Sequence, residues 1–252
     1  MLAKRIIPVL LTRSGQLVKG KQFNSQRVVG NAQQAAEIHQ ARGVDELLVL
    51  DVEASPSHRG PNIEAMRQLT ECCFIPVAVG GGVTTLDHIR QLLANGADKV
   101  VIGTAAYDNP AFIRAAADRF GSQAITVAVD ASVHAAKQGY MLMSRCGTQR
   151  APFGDPVAFA VMMAECGAGE LIVTNTDRDG MMTGYDTRLI NCISREVDIP
   201  VVANGGCGSY AHMHQALKAG ADAVAAGAMF QWLDLTPKGA AEYLARKGWE
   251  TR

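Results

Sequence analysis

Eight short apolar runs recur along the chain, at 6–11, 47–51, 76–79, 99–102, 125–130, 171–175, 201–204 and 223–226. Each is too short for a helix and apolar at both alternating positions, the pattern of a parallel strand covered on both faces. Between them, stretches such as 31–42, 85–95, 110–120 and 210–219 space their apolar residues three to four apart. Gly96 and Gly220 follow two of these stretches, where helices end. Eight strand–helix units predict an α/β protein, a single closed (β/α)8 TIM barrel.

The pattern also repeats itself. GVDELLVL at 43–50 lines up with GAGELIVT at 167–174, and Ile75-Pro76-Val77 with Ile199-Pro200-Val201, both at an offset of 124. Gly96-Ala97-Asp98 matches Gly220-Ala221-Asp222, and Gly81-Gly82 matches Gly205-Gly206, at the same offset. The first and fifth runs match at 119 instead, 9–11 against 128–130, so the loops after them differ in length. Half a barrel cannot bury its sheet alone. Two halves, about 1–123 and 124–252, are therefore expected to close into one domain spanning 1–252. An open doubly wound sheet would also alternate strands and helices, but it gives no reason for the repeat.

Composition fits this picture. The 252 residues are 48% hydrophobic and 19% charged, enough for one domain with a full core. Twenty-four basic and 24 acidic residues cancel, which argues against a nucleic-acid binder. The apolar part of the opening MLAKRIIPVLLT is too short to span a bilayer and no cleavage site follows, so a cytoplasmic protein without a membrane segment is expected. Cys72, Cys73, Cys146, Cys166, Cys192 and Cys207 match neither a disulfide framework nor a zinc site and are expected as buried or semi-buried free thiols. His212 and His214, two apart, do not share a helix face, so neither a metal nor another cofactor is implied.

In such barrels the loops after the strands carry function. Gly81 and Gly82 follow the third strand and Gly205 and Gly206 the seventh; Gly103 and Thr104 follow the fourth, and Gly227 and Ala228 the eighth. Glycine there lets backbone N–H groups approach an anion, so the duplication predicts two phosphate cradles and an elongated, bis-phosphorylated ligand. The plainer alternative is that these glycines only make tight turns. The polar residues at strand ends are Asp51, Glu53, Asp130, Asn175, Asp177 and Asp179, and the carboxylates among them are candidate acids or bases. Asp130 is preferred because no turn signal follows it, whereas Asp177 to Gly180 also reads as a self-satisfied turn. The repeat partner of Asp130 is Leu11, so the carboxylate stands on one side only. The polar stretch 12–29 is expected to be a long loop, with Lys19, Lys21 and Arg27 closing over anions or simply solvated.

Taken together, MLAKRIIP at the start, VKG at 18–20, DELLVLD at 45–51, VGGG at 79–82, GADKV at 96–100, FGSQA at 120–124, GAGE at 167–170, DRDG at 177–180, GYDT at 184–187 and GGCG at 205–208 make the chain resemble the HisF family end to end. These are the cyclase subunits of imidazole glycerol phosphate synthase. The resemblance implies a HisH-like glutaminase docked on the barrel base near Asp98. It implies ammonia entry through a ring of four charges, here Arg5, Glu46, Lys99 and Glu170, and cyclase–lyase chemistry on a bis-phosphorylated substrate. A structural salt-bridge layer would use the same four charges. The resemblance adds Asp179 and Gly180 of DRDG to the expected phosphate site, and Lys19 of VKG is expected on the loop after the first strand.

The sequence departs from that family at the mouth. Of the two catalytic aspartates the resemblance implies, the second is Asp130 and the first is replaced by Leu11; Gly103 stands for an asparagine and Ala228 for a serine. Losing a positioned acid or base typically costs about 10²–10⁴-fold in rate. The IIPVLLT start is similar to that of the HisF-like WbuZ proteins of surface-polysaccharide loci. That likeness implies ammonia delivery to a separate sugar amidotransferase. Three expectations follow: an ammonia-channelling barrel of sugar amidation, a histidine-pathway cyclase that tolerates Leu11, or a phosphate-ligand-binding barrel without ammonia chemistry.

Overall fold

The computed structural model describes residues 3–134 and 139–251. The two ends of the expected 1–252 domain, with the first two residues of the MLAKRIIP motif, lie outside the described residues. Twelve strands are formed: β1 (Arg5–Arg13), β2 (Gln16–Lys21), β3 (Asn24–Asn31), β4 (Leu47–Asp51), β5 (Val77–Gly80), β6 (Lys99–Ile102), β7 (Ile125–His134), β8 (Gly139–Ser144), β9 (Gln149–Arg150), β10 (Glu170–Asn175), β11 (Val201–Asn204) and β12 (Ala223–Ala226). The helices are α1 (Ala32–Ala41), α2 (Ile63–Glu71), α3 (Leu86–Ala94), α4 (Thr104–Asp108), α5 (Ala111–Phe120), α6 (Pro156–Glu165), α7 (Thr187–Ser194), α8 (Tyr210–Lys218), α9 (Ala228–Trp232) and α10 (Pro237–Arg246).

Eight strands pair in parallel around a closed circuit, β1–β4–β5–β6–β7–β10–β11–β12 and back to β1. The fold is a (β/α)8 barrel, and the eight apolar runs of the sequence are its strands. Period-two alternation divides their side chains. Ile6, Leu10, Leu47 and Val49 face outward into a core shared with Ile89, Ile113 and Phe159 of the helices. Ile7, Val9, Leu48, Ala78, Val101, Ile172, Val202 and Ala225 fill the lumen.

The twofold repeat extends to the hydrogen bonds that start the helices and strands. Asn62 and Asp186 cap α2 and α7, and Thr85 and Ser209 cap α3 and α8, each accepting a bond from a first-turn N–H. Such caps are typically worth about 1 kcal/mol each. Asp98 accepts from the Val77 N–H at 2.9 Å and Asp222 from the Val201 N–H at 3.1 Å. All three pairs are 124 residues apart.

The region 12–29 corrects an expectation. It is not a loop: β1 runs on to Arg13, turns at Ser14 and Gly15, and continues into the antiparallel hairpin β2–β3. Ser14 and Gly15, then Gln22 and Phe23, have positive φ, the geometry that lets a two-residue turn follow strand twist. Leu17 and Val18 are buried under the hairpin, which supplies the burial a solvated loop lacks. A second antiparallel extension, β7–β8–β9, leaves the fifth barrel strand. The six cysteines are free, but Cys192 is exposed, against the expectation for it: it lies on the outer face of α7. Among the described residues no helix is long and apolar enough to cross a membrane.

Candidate functional site

The C-terminal ends of the barrel strands open into a cavity of about 480 Å³. Its floor carries Leu11 and Asp130. Leu11 pairs in register with Leu50 and Asp130 with Thr174, and 50 and 174 are repeat partners, so the two positions are equivalent in the barrel. The asymmetry read from the sequence is therefore an asymmetry of the site. Asp130 is half-buried, and burial pushes its carboxyl up to about 7; a hydrogen bond to Thr174 opposes the shift and the Asp179 carboxylate adds to it. A carboxyl that titrates near neutrality can both take and give a proton.

Of the other strand-end candidates, the structure brings only Asp179 into the cavity as a carboxylate with no ion pair closer than 4 Å among the described residues. Asp51 lines the wall but is spent on Arg59, 2.8 Å away, and on the N–H groups of Glu53 and Ala54. Glu53 takes a weaker share of Arg59 and accepts from Ser14. Asn175 turns to Asp186 at 2.6 Å. Asp177 accepts from the Ser132 hydroxyl and the Val133 N–H of β7, so its carboxylate is satisfied by a distant strand rather than within its own turn. These four are structural.

Lys19 lies on β2 rather than on a loop and is buried. Its Nζ donates to the Val9 carbonyl at 2.9 Å. Burial lowers its pKa to about 8, against the pull of Asp179. Burial raises Asp179 to about 6, while Lys19 and the Gly180 N–H hold it down. Lys21 and Arg27 are exposed, as the solvated alternative has it.

Gly81, Gly82, Gly103, Thr104, Gly180, Gly205, Gly206, Gly227 and Ala228 all line the cavity. The conformation itself demands glycine at Gly81 and Gly82. Their φ values are +114° and +70°, and a Cβ would lie 2.4 Å from the carbonyl oxygens of Asp51 and Arg59. The tight-turn account is thus sufficient for this pair, and an anion cradle needs no further change to it. Gly103 differs: its φ is −110° and a Cβ would make only an ordinary van der Waals contact, 3.7 Å from the Ala128 Cβ, so glycine there is not forced by crowding. At Gly227 a Cβ would lie 2.5 Å from Lys19 Nζ, so the missing side chain makes room for the lysine.

Sequence reasoning missed the residues that roof the first-half end. Phe23, His58, Arg145 and Cys146 all line the cavity, and all are non-glycine residues with positive φ. Such backbone costs on the order of 1–3 kcal/mol each and collects where a surrounding structure holds it. No local pattern announces them, because they come from hairpin and loop tips brought together only by closure.

At the opposite end, the four charges form one closed ring. Arg5 bonds Glu46 at 2.6 Å and also Glu170; Lys99 bonds Glu46 and Glu170, both at 2.9 Å. For Arg5, burial alone would lower the pKa, yet Glu170 and Glu46 outweigh it and hold the group above its ordinary value. Each cation bridges both acids, which satisfies buried charges and leaves the ring neutral. Lys99 is its most exposed side chain, at 22%. Asp98 is exposed beside it, its carboxylate fixed by the Val77 N–H. Above the ring, Thr126 shares the lumen face of β7 with Ala128 and Asp130. Its hydroxyl is fully buried and has no hydrogen-bond partner among the described residues.

His212 and His214 point apart in function as in space: His212 Nδ1 accepts from the Gly208 N–H, and His214 Nδ1 from the Trp249 indole. The barrel, with a charged ring at its base and glycine turns around its mouth, has a counterpart among known families. The model of the family described as "Histidine biosynthesis protein" matches residues 5–234, and the chain belongs to that family, as a barrel of the HisA/HisF type.

Proposed function

We propose that this chain is the barrel subunit of a glutamine-dependent complex. Ammonia from a HisH-like glutaminase, docked on the base around Asp98, enters through the Arg5–Glu46–Lys99–Glu170 ring. It crosses the lumen to the mouth and serves a separate amidotransferase acting on a surface-polysaccharide sugar. The observation that carries this reading is Leu11 facing the cavity where Asp130 has its equivalent. A ring closure that moves protons on both sides of a substrate needs a group on each side. At this pair of equivalent positions there is one carboxyl, Asp130, with Leu11 opposite. The intact ring supports continued ammonia entry, because all four charges are retained and paired while the mouth has lost a carboxylate.

The second reading, an imidazole glycerol phosphate synthase cyclase of histidine biosynthesis, is favoured by Asp130 itself. Its carboxyl titrates near 7, and glycine turns flank it on both sides. In that reading the reaction is the cyclase–lyase step on a bis-phosphorylated ribulosyl nucleotide. The two are separated by incubating the protein with that nucleotide and excess ammonium salt at alkaline pH, with and without Leu11→Asp. Turnover by the unaltered protein at ordinary cyclase rates overturns the amidation reading. Activity that appears only in Leu11→Asp supports it. If the chain activates no glutaminase and reversing Asp98 or Lys99 changes nothing, both give way to a phosphate-ligand-binding barrel.

A further inference from the structure

The two ends of the mouth are furnished differently. On the second-half side stands Lys19, with Asp179 acting on it. On the first-half side, Gly81, Gly82 and Gly103 offer backbone alone. The Thr104 hydroxyl there is already the acceptor for the Arg145 N–H, at 3.0 Å. The side chain that covers this end comes from the other half of the chain, on the turn between β8 and β9.

Arg145 Nη1 lies 3.1 Å from His58 Nδ1 and 3.4 Å from the Ser55 carbonyl, and its Nε donates to Gln149 at 3.1 Å. A guanidinium has only donors, so His58 Nδ1 accepts. Nη2 makes no hydrogen bond to the described residues. Nor does Arg145 form an ion pair with any of them, whereas Arg59 in the same wall is held by Asp51 and Glu53. Asp108 and Asp130 also line the cavity, and neither pairs with Arg145. The turn is pinned from below: Cys146 Sγ donates to the Val52 carbonyl at 3.1 Å, and Gly147 packs on Phe23. His58, Arg145 and Cys146 all hold positive φ. A strained, anchored turn thus delivers a cation without a carboxylate into a cavity wall, with the two N–H groups of its Nη2 unspent and able to donate charge-assisted hydrogen bonds to an anion.

We propose that Arg145 is a specificity-determining anion ligand of the mouth, binding, with His58 beside it, the phosphate of a small phosphate monoester at the Gly103 end. Its Nη2 then supplies a side-chain donor at an end where Gly103 offers none. This inference is separate from ammonia delivery: it concerns the charge of the ligand, and either can fail without the other.

The test is calorimetric titration of the full chain with inorganic phosphate and, separately, with glycerol phosphate. The variants are Arg145→Gln, Arg145→Lys and, at the far end of the barrel on the last turn of α5, Arg119→Gln. Arg145→Gln weakens phosphate-monoester binding about ten- to hundredfold, the loss expected for charge-assisted hydrogen bonds. Arg145→Lys falls between, because it keeps the charge and loses the Nη2 donors held in place by the bonds of Nε and Nη1, and Arg119→Gln leaves binding unchanged. Circular dichroism shows whether each variant is folded. If Arg145→Gln is not, the comparison rests on Arg145→Lys and on whether phosphate shifts the His58 ring resonances of the unaltered protein. Equal affinity in folded Arg145 variants, an equal loss in Arg119→Gln, or His58 resonances that ignore phosphate would each overturn the proposal. Binding of inorganic phosphate without glycerol phosphate would overturn the monoester assignment.

Discussion

Asp130→Asn tests whether the mouth is as dry as its geometry implies. The carboxyl titrates at about 7 in the folded chain against an ordinary value of 3.8. A shift of roughly three units corresponds to about 4 kcal/mol of penalty on the ionised form at most. Asp130 is only half-buried and faces an open cavity, so water reduces this, and about 2 kcal/mol is the working figure. The sign follows from proton counting. Between the two values the folded state holds a proton that the unfolded state has lost, so stability falls as pH rises from about 4 to about 7 and is level above. Asparagine cannot ionise. Asp130→Asn should match the unaltered protein near pH 4 and exceed it by about 2 kcal/mol at pH 8. Urea unfolding at about pH 4, 6 and 8 measures the difference. A gap that does not change with pH, or a variant that is less stable at pH 8, would refute the reasoning.

Three further outcomes are expected. Glu46→Gln removes one acid from a ring in which both cations lean on it, and should cost about 3 kcal/mol or more in urea unfolding; a loss below about 1 kcal/mol would mean the ring is solvated. Thr126→Val replaces a buried hydroxyl that has no partner among the described residues with a methyl, and should raise stability by about 1 kcal/mol. A clear loss would instead reveal a hydrogen-bonded guest in the lumen. Gly82→Ala, at φ +70° with its Cβ against the Arg59 carbonyl, should lose at least about 2 kcal/mol, while Gly103→Ala stays within about 1 kcal/mol because its Cβ meets only the Ala128 Cβ at van der Waals distance. Thermal midpoints of the two alanine variants check the ordering, and a reversed order would discard the turn argument.

Much of the scaffold is local information. Eight apolar runs, helical spacing between them and a repeat offset of 124 suffice for a closed eight-stranded barrel, since periodicity is decided within each segment and two half sheets have no other way to bury their faces. The capping residues Asn62, Thr85, Asp186 and Ser209 are local in the same sense, each bonding an N–H three residues on. So is the contrast of Leu11 with Asp130, which needs only the repeat. The excursion at 12–29 was less legible, because its burial depends on a surface that exists only after closure.

The division of labour among the carboxylates was only partly local: Asp51 finds its partners within eight residues, and Asp177 does not. Asp51, Asp130, Asp177 and Asp179 all follow barrel strands and look alike in sequence. Asp51 is claimed by Arg59 and Asp177 by Ser132 and Val133, 45 and 44 residues away, while Asp130 and Asp179 are left to face the cavity. Lys19 is buried because the hairpin folds over Val9 and Gly227, and Arg145 meets Thr104, Ser55 and His58 of the first half only through a turn belonging to the other half. The sequence by itself determined the barrel, its repeat and the contrast of Leu11 with Asp130, because each is written in short-range pattern. Only the tertiary structure decided which charges are neutralised and which remain for a ligand, because a charge is spent or spared by partners that the chain brings together from far apart.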